Sequence, residues 1–494
     1  MTTPNQPIEA RSGLDPWKAA SLPAPPMPRG LQWLGVVGPG VIVLGASIGS
    51  GEFLLGPAAF VKYGLTMLWV SGCAMILQTL FNEELMRYTL ATGEPVVTGF
   101  MRTKPHPTFW AWVYAALYFL QVGWPAWAGT AAGAFFFLFT KRLSIAADAN
   151  TVYFIGVGLF LLCVLILMVG RRIERTLEML NWILVACIIG GFLVLALKLV
   201  DGSTLGDALL GFAGYSRSAG AFQFIPPGAD FFLIGAFAGY SGAGGVINLT
   251  LSNWARDRGY GMGGNAGYIP SAVGGAKSEL AHTGYRFDDT PEEMARWRGW
   301  WRVVHADQWG VFFAGAILGM LLPALLYVTF LAPGTDIRGY GIAAALAQAM
   351  VAAGTPWLGG VVALIGAWIL FKTQLDILEG IARSITDILW TGSRRVRAWR
   401  GGDVRVVYYS VLVALVVWGI VALKLAQPVF LLQLGANIAG VVFVISSIHL
   451  LYINTTLLPV HCRPPLWRRL ALVVFALFYG TFVALWLKGL LTGA

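Results

Sequence analysis

The sequence predicts an all-α integral membrane protein of about eleven spanning helices, ordered as two repeats of five with one more. Three observations predict this. Hydrophobic residues make up 57% of the 494 positions and charged residues only 12%, against roughly 25% charged in an ordinary soluble domain. Apolar runs of about 20 residues, the length that crosses a bilayer, recur along the chain. Two of these runs, the first and the sixth, are interrupted at mid-length by glycine and small polar residues. A mean hydropathy of +0.70 excludes a soluble enzyme, a disordered chain and a disulfide scaffold. A water-soluble globule cannot place that much apolar surface inside.

The expected spans are 33–60, 64–90, 108–139, 152–170, 178–199, 229–255, 307–332, 357–390, 405–426, 428–453 and 468–492. Several exceed the thickness of a bilayer, so tilts, breaks or protruding ends are expected. Segment 341–353 is short and amphipathic and reads as a flank of span eight outside the bilayer. The chain then divides into a tail over 1–30, a first repeat over 31–200, a second over 201–455 and a final span with the C-terminus over 456–494. The tail is Pro-rich and polar without an apolar core, so it reads as disordered or interfacial and not as a signal peptide.

The formal charge of +10 follows from topology. With the N-terminus in the cytoplasm, 24 of the 34 Lys and Arg residues fall in cytoplasmic segments, 8 on the other side, and Lys372 and Arg383 within span eight. That bias is the positive-inside pattern, and it places the C-terminus outside a plasma membrane. No nucleic-acid partner is needed to explain it; the partners expected are the bilayer and a small cationic or polar substrate, with oligomeric state open. Cys73, Cys163, Cys187 and Cys462 form no close pair, so neither a thiolate metal site nor a structural disulfide is expected.

The longest soluble stretch, 256–306, holds the Gly-rich runs GYGMGGNAGYIP and SAVGGAKSE, then TPEEMARWRGWWR. No strand–turn–helix context surrounds the glycines, so they are not a nucleotide fingerprint. Thr290 and Pro291 suit the cap and first position of a helix. The stretch reads as an ordered loop, either a gate or a passive linker.

Span one reads GPGVIVLGASIGSGEFLLGP. Ser47, Gly49, Ser50, Gly51 and Glu52 lie near its middle. A carboxylate there costs several kcal/mol in lipid and must face protein or water. Gly49-Ser50-Gly51 is expected to unwind, which would turn backbone carbonyls toward a cavity. Span six reads FLIGAFAGYSGAGGVINLTLSNW and places Tyr240, Ser241, Ala243 and Gly244 at mid-span. Two Gly-interrupted helices at matching positions point to an inverted-repeat transporter whose substrate lies between them; two close-packed helix seams are the plainer alternative.

At this point the chain resembles the natural-resistance-associated macrophage protein (NRAMP) family of proton-coupled divalent-metal transporters. The residues that carry the resemblance are the GPG at 38–40, LQTLFNEELMRYTLATGE at 77–94, GRRIERTLEML at 170–180 and FKTQLDILEGIARSITDIL at 371–389. The resemblance implies the leucine-transporter fold and alternating access. The departures sit at the site. Where the family carries Asp-Pro-Gly-Asn, this chain has Gly49-Ser50-Gly51-Glu52; where it carries Met-Pro-His-Asn, this chain has Ala243-Gly244-Gly245-Val246. Span three, acidic in the family, reads LQVGWPAWAG. Loss of the thioether removes the basis for preferring transition metals. One carboxylate, serines and freed carbonyls suit a hard cation, and equally a polar organic cation in the volume opened by Gly244 and Gly245.

Other buried polar groups are candidates for coupling or gating. Lys372, Asp376, Glu379, Arg383 and Asp387 share one helical stripe. Lys372 and Asp376 are the deeper pair; Arg383 and Asp387 read as solvated beyond the bilayer. Glu83 and Arg87 are spaced as a structural i,i+4 latch. His449 is either a proton relay or a hydrogen-bonded structural residue. Gln121 lies beside an expected kink at Trp124-Pro125, with Trp127 beyond it. The expectation is a secondary transporter moving a cation, by family default a divalent metal, with Glu52 as its ligand, no resident cofactor, and a proton or sodium ion as coupling partner. The alternatives are an organic cation, amino acid or other small solute, and a non-transporting receptor or scaffold. An enzyme is not expected, since no HExxH, Ser–His pair or cofactor motif appears.

Overall fold

The computed structural model describes residues 7–169, 173–273, 280–338 and 342–492. Residues 170–172 of the GRRIERTLEML motif and 274–279 of SAVGGAKSE lie outside the described residues. Among the described residues, ten helices are long and apolar enough to cross a membrane: Pro39–Tyr63, Leu65–Thr92, Pro107–Thr140, Ala146–Met168, Ile173–Leu199, Pro291–Phe330, Pro356–Gly392, Val404–Ala422, Pro428–Thr456 and Leu466–Leu491. The remaining expected span, the sixth, is split into Phe231–Tyr240 and Val246–Arg258. The all-α multi-pass class and the order of eleven spans are therefore as the sequence predicts.

Span one is the most enclosed helix, while spans four, nine and eleven leave most of their surface outside the packed core. Glycines set how closely the central helices approach. A Cβ at Gly51 would collide with the Tyr240 carbonyl of span six, and one at Gly49 with the Thr373 hydroxyl of span eight. Span three is interrupted at Gly123-Trp124-Pro125, between Val122 and Ala126; proline there removes a backbone donor and ends the first segment.

The expected unwinding of span one does not occur. Residues Ile48–Leu55 are π-helical between two α-helical parts. A π turn widens the helix while keeping its backbone groups paired, so a helix buried on all sides keeps its hydrogen bonds without a polar cavity to receive them.

The N-terminal tail is also ordered where described. Trp17 and Leu22 are buried. Lys18–Ala19 pairs in parallel with Tyr285–Arg286. Leu22 N donates to Glu293 at 2.9 Å, and Trp300 Nε1 donates to the Pro23 carbonyl at 2.8 Å. An extended, Pro-rich strand has no periodicity to announce it, and its partners lie some 270 positions away in sequence. Thr290 caps the helix that begins at Pro291, as expected, accepting from Glu293 N at 3.2 Å. That helix continues without a stop into span seven.

Candidate functional site

The carboxylate of Glu52 lies within the π-helical turn and is fully buried. Its Oε1 accepts from the Ser47 hydroxyl, and the Gly242 main chain faces it from span six. Its Oε2 has no hydrogen-bond partner among the described residues. On the span-seven side, a Cβ at Gly319 would lie 3.8 Å from Glu52 Cγ, so the carboxylate sits where spans one, six and seven meet. Ser50 turns away from it: Trp127 Nε1 donates to Ser50 Oγ at 3.0 Å, and Ser50 Oγ donates to the Ala46 carbonyl at 3.0 Å. Gly49 faces span eight, where Thr373 Oγ1 also donates to the Gly45 carbonyl at 3.0 Å.

Span six breaks over residues 241–245. Gly242, Gly244 and Gly245 adopt φ of +103°, +89° and +52°, a region that costs other residues energy. The break frees main-chain groups, and side chains of spans two and three take several of them. Gln78 Nε2 donates to the Ser241 carbonyl at 2.6 Å. Gln121 Nε2 donates to the Gly244 carbonyl at 3.0 Å, and Gln121 Oε1 accepts from Val246 N at 2.9 Å. Gln121, expected among coupling or gating groups, is placed as a clamp on the break. Gln78 was missed as a site residue; its signal was an amide in the apolar part of span two. Ser241 Oγ donates back to Phe237 O at 2.7 Å, and Ala243 is buried.

The volume expected from Gly244 and Gly245 is occupied. A Cβ at Gly244 would meet the Tyr240 ring, and one at Gly245 the Gln121 amide. The Tyr240 ring in turn lies 5.9 Å from that of Trp127. Replacing Gln121 by alanine strands a buried carbonyl and a buried N–H, each costing about 1–3 kcal/mol. We expect Gln121→Ala to lower the thermal midpoint of the detergent-solubilised protein by several degrees, and an unchanged midpoint would show that the clamp is dispensable.

The span-eight stripe is buried throughout, against the expectation of a solvated lower half. Arg383 is 0% exposed and Asp387 4%. Arg383 pairs with Asp257 and, at 2.5 Å, with Glu379; Asp387 takes Arg256 at 2.6 Å and Asn253 at 2.6 Å. The reason is the second half of span six, which carries its own charges against this face. Lys372 pairs with Asp376 and Asn181 beside Gly45 of span one. Arg87 pairs with Glu84 at 2.8 Å, while Glu83 takes Arg468 at 2.9 Å and His305, so the expected Glu83–Arg87 latch is a wider tie to span eleven. His449 is stacked on Phe100 at 4.2 Å, and its ring nitrogens contact Thr103 Oγ1 at 2.9 Å and Tyr114 Oη at 3.0 Å. This places it in a structural setting apart from Glu52.

On the face away from the N-terminal segment, Lys62 at the end of span one, Asp230 at the start of span six, and Asp336 and Arg338 after span seven form one cluster. Arg338 lies 2.5 Å from both aspartates, and Lys62 is 3.4 Å from Asp336. Hydrogen bonds from Arg338 hold the Asp336 carboxyl well below the usual range, so that carboxylate stays charged at ordinary pH. Among the described residues, no group of three or more His, Cys, Asp or Glu side chains is placed to hold a metal ion.

No protein-family model matches the chain. It is 28% identical over 169 residues to the divalent metal cation transporter MntH of Chromohalobacter salexigens, a stretch covering 34% of this chain and 37% of that protein. The chain thus aligns with little more than a third of that relative's length. In three dimensions it is similar to crystal structures of the manganese transporter of Eremococcus coleocola. Two variants of that transporter superpose with TM-scores of 0.64 and 0.62, each at 14% identity over 94% of this chain and 90% of the other. A complex of the transporter with an aromatic bis-isothiourea compound gives 0.59 over 97% and 92%. These likenesses show the fold.

Proposed function

We propose that this chain is a divergent NRAMP-related membrane protein, a secondary transporter of a hard divalent cation that works by alternating access with its N-terminus in the cytoplasm. The observation that carries the reading is Glu52. It is a buried carboxylate at the junction of three central spans, with one oxygen unpartnered among the described residues. A carboxylate left in that state is a ligand group waiting for a cation.

Ligand chemistry narrows the cargo. Around Glu52 stand hydroxyl and main-chain groups, and the span-six break contains neither Met nor His. Oxygen donors suit magnesium, calcium and manganese, while soft metals lose the sulfur that would favour them. The filled space beside Gly244 and Gly245 speaks against a bulky organic cation. The Lys62–Asp230–Asp336–Arg338 cluster supports an outer closure, since it ties the end of span one to the start of the broken span six.

The test is uptake by proteoliposomes of the full chain. Magnesium, calcium and manganese should be taken up and should compete with one another, with cadmium a poor competitor. Absence of flux for all of these ions would end the reading, and preferential cadmium uptake would end its hard-cation part.

A further inference from the structure

Asp307 of span seven has no role in the site around Glu52, yet it is fully buried. It lies in the π-helical turn Ala306–Phe313, and no cation pairs with it among the described residues. Its partners are the start of span one. Asp307 Oδ1 accepts from Gly38 N at 2.9 Å, and Oδ2 accepts from Gly40 N at 2.8 Å. The positive end of the span-one helix is a favourable place for an anion. The approach is so close that a Cβ at Gly40 would lie 2.5 Å from the Asp307 main-chain oxygen.

Two further contacts hold the residues just before span one: Arg258 donates to the Gly35 carbonyl, and Tyr260 Oη donates to the Val36 carbonyl at 2.8 Å. The N-terminal strand, meanwhile, is fastened to the same long helix as Asp307, through Glu293, Arg296 and Trp300. The chain is therefore anchored on Pro291–Phe330 twice, once at Leu22-Pro23 and once at Gly38-Gly40. Between the two anchors, Pro25 abuts Gly299 and Gly35 and Val36 are held as above, so a bend that leaves the strand in place falls in the exposed stretch around Met27 and Leu31.

We propose that Asp307 is a positioning residue that latches the inner half of span one, and that release of its two main-chain hydrogen bonds opens the Glu52 site toward the N-terminal face; this rests on the transporter reading. Protonation weakens the latch, because a protonated oxygen is a poorer acceptor. The titratable groups that act on Asp307 directly are Glu178 of span five and Tyr260 after span six, with Gln308 bonded to it on its own helix; one step further out, Arg258 at the end of span six pairs with Glu178, and His305 pairs with Glu83 of span two. Gln308 Nε2 donates to Asp307 at 2.8 Å and ties it to Asn82.

The experiment is hydrogen–deuterium exchange of the full chain in liposomes, comparing wild type with Asp307→Asn. Amides over residues 38–47 should exchange about tenfold faster in the variant, the loss of roughly one latch bond. The strand at 18–23 and span nine should keep wild-type rates. Wild type should show the same local acceleration as the pH is lowered, and the variant a flat profile. If Asp307→Asn does not fold, Gly40→Ala is read in the same way, since its methyl group meets Asp307. Unchanged exchange over 38–47, or acceleration spread evenly over all spans, would overturn the latch. Cation flux is measured in parallel: a wild type with no flux sinks the transport reading and leaves the exchange result standing on its own.

Discussion

Glu52→Gln should abolish cation uptake while leaving the protein at least as stable as wild type. The two halves of this expectation have one cause. Among the described residues, the wild-type carboxylate is buried with a single side-chain hydrogen bond, from Ser47, and one oxygen without a partner. Keeping a charge in such a place costs folding energy, and a cation repays it only when bound. Glutamine keeps the shape and can still accept from Ser47, but it lacks the charge. Losing a charged ligand contact of about 1.5–3 kcal/mol lowers cation affinity by roughly ten- to a hundredfold or more. The thermal midpoint should stay level or rise, the usual sign of a group kept for function. Uptake in proteoliposomes and a melting curve on the same preparation check both halves. Wild-type uptake by Glu52→Gln would remove Glu52 from the site.

Arg102→Ala should have the largest effect on folding. Arg102 is buried against Glu94, with Nη2 to Oε1 at 2.5 Å and Nε to Oε2 at 2.8 Å. It also donates to the main-chain oxygens of Glu9 at 2.9 Å and Asp15 at 3.0 Å, so it fastens the N-terminal strand as well. Removing one partner of a buried pair leaves an uncompensated charge and costs about 3–5 kcal/mol. The expected result is a strongly lowered thermal midpoint and rapid proteolysis within the first 25 residues. Burial opposes ionisation of Glu94, but the charge and hydrogen bonds of Arg102 outweigh it and hold the carboxyl below its ordinary value. The pair's stabilisation is therefore present above the ordinary carboxylate range and lost as pH falls through the lowered value. Wild type should lose stability on acidification more steeply than the double variant Glu94→Gln/Arg102→Met. Equal slopes would show that the pair carries none of the acid sensitivity.

The features legible in the sequence share a property: each is local. Eleven apolar runs, the interruption of span six, the kink at Pro125 and the cap at Thr290 are written within a few turns of chain. Glu52 stood out because lipid makes a lone carboxylate conspicuous. The missed features are pairings between distant positions. Asp307 stands at the edge of an expected span with nothing nearby in sequence to single it out, yet it meets Gly38 and Gly40 some 270 positions earlier. Gln121 reads in the sequence as a coupling or gating candidate and Gln78 carries no signal beyond its place in an apolar run; only a broken helix 120 to 160 positions away shows what the two amides satisfy. Arg383 and Asp387 looked solvated because the helix that covers them, with Arg256 and Asp257, comes from another part of the chain.

By itself the sequence determined the solvent and the spans, and it singled out Glu52 as a carboxylate at the middle of an apolar run, because transfer free energy acts on each segment separately. Only the tertiary structure decided that span one widens into a π turn instead of unwinding, that the space beside Gly244 and Gly245 is filled, and that the N-terminal tail is fastened down. Those outcomes depend on which neighbours supply the hydrogen bonds and volume, and a buried polar group's partner is chosen by packing across the whole molecule.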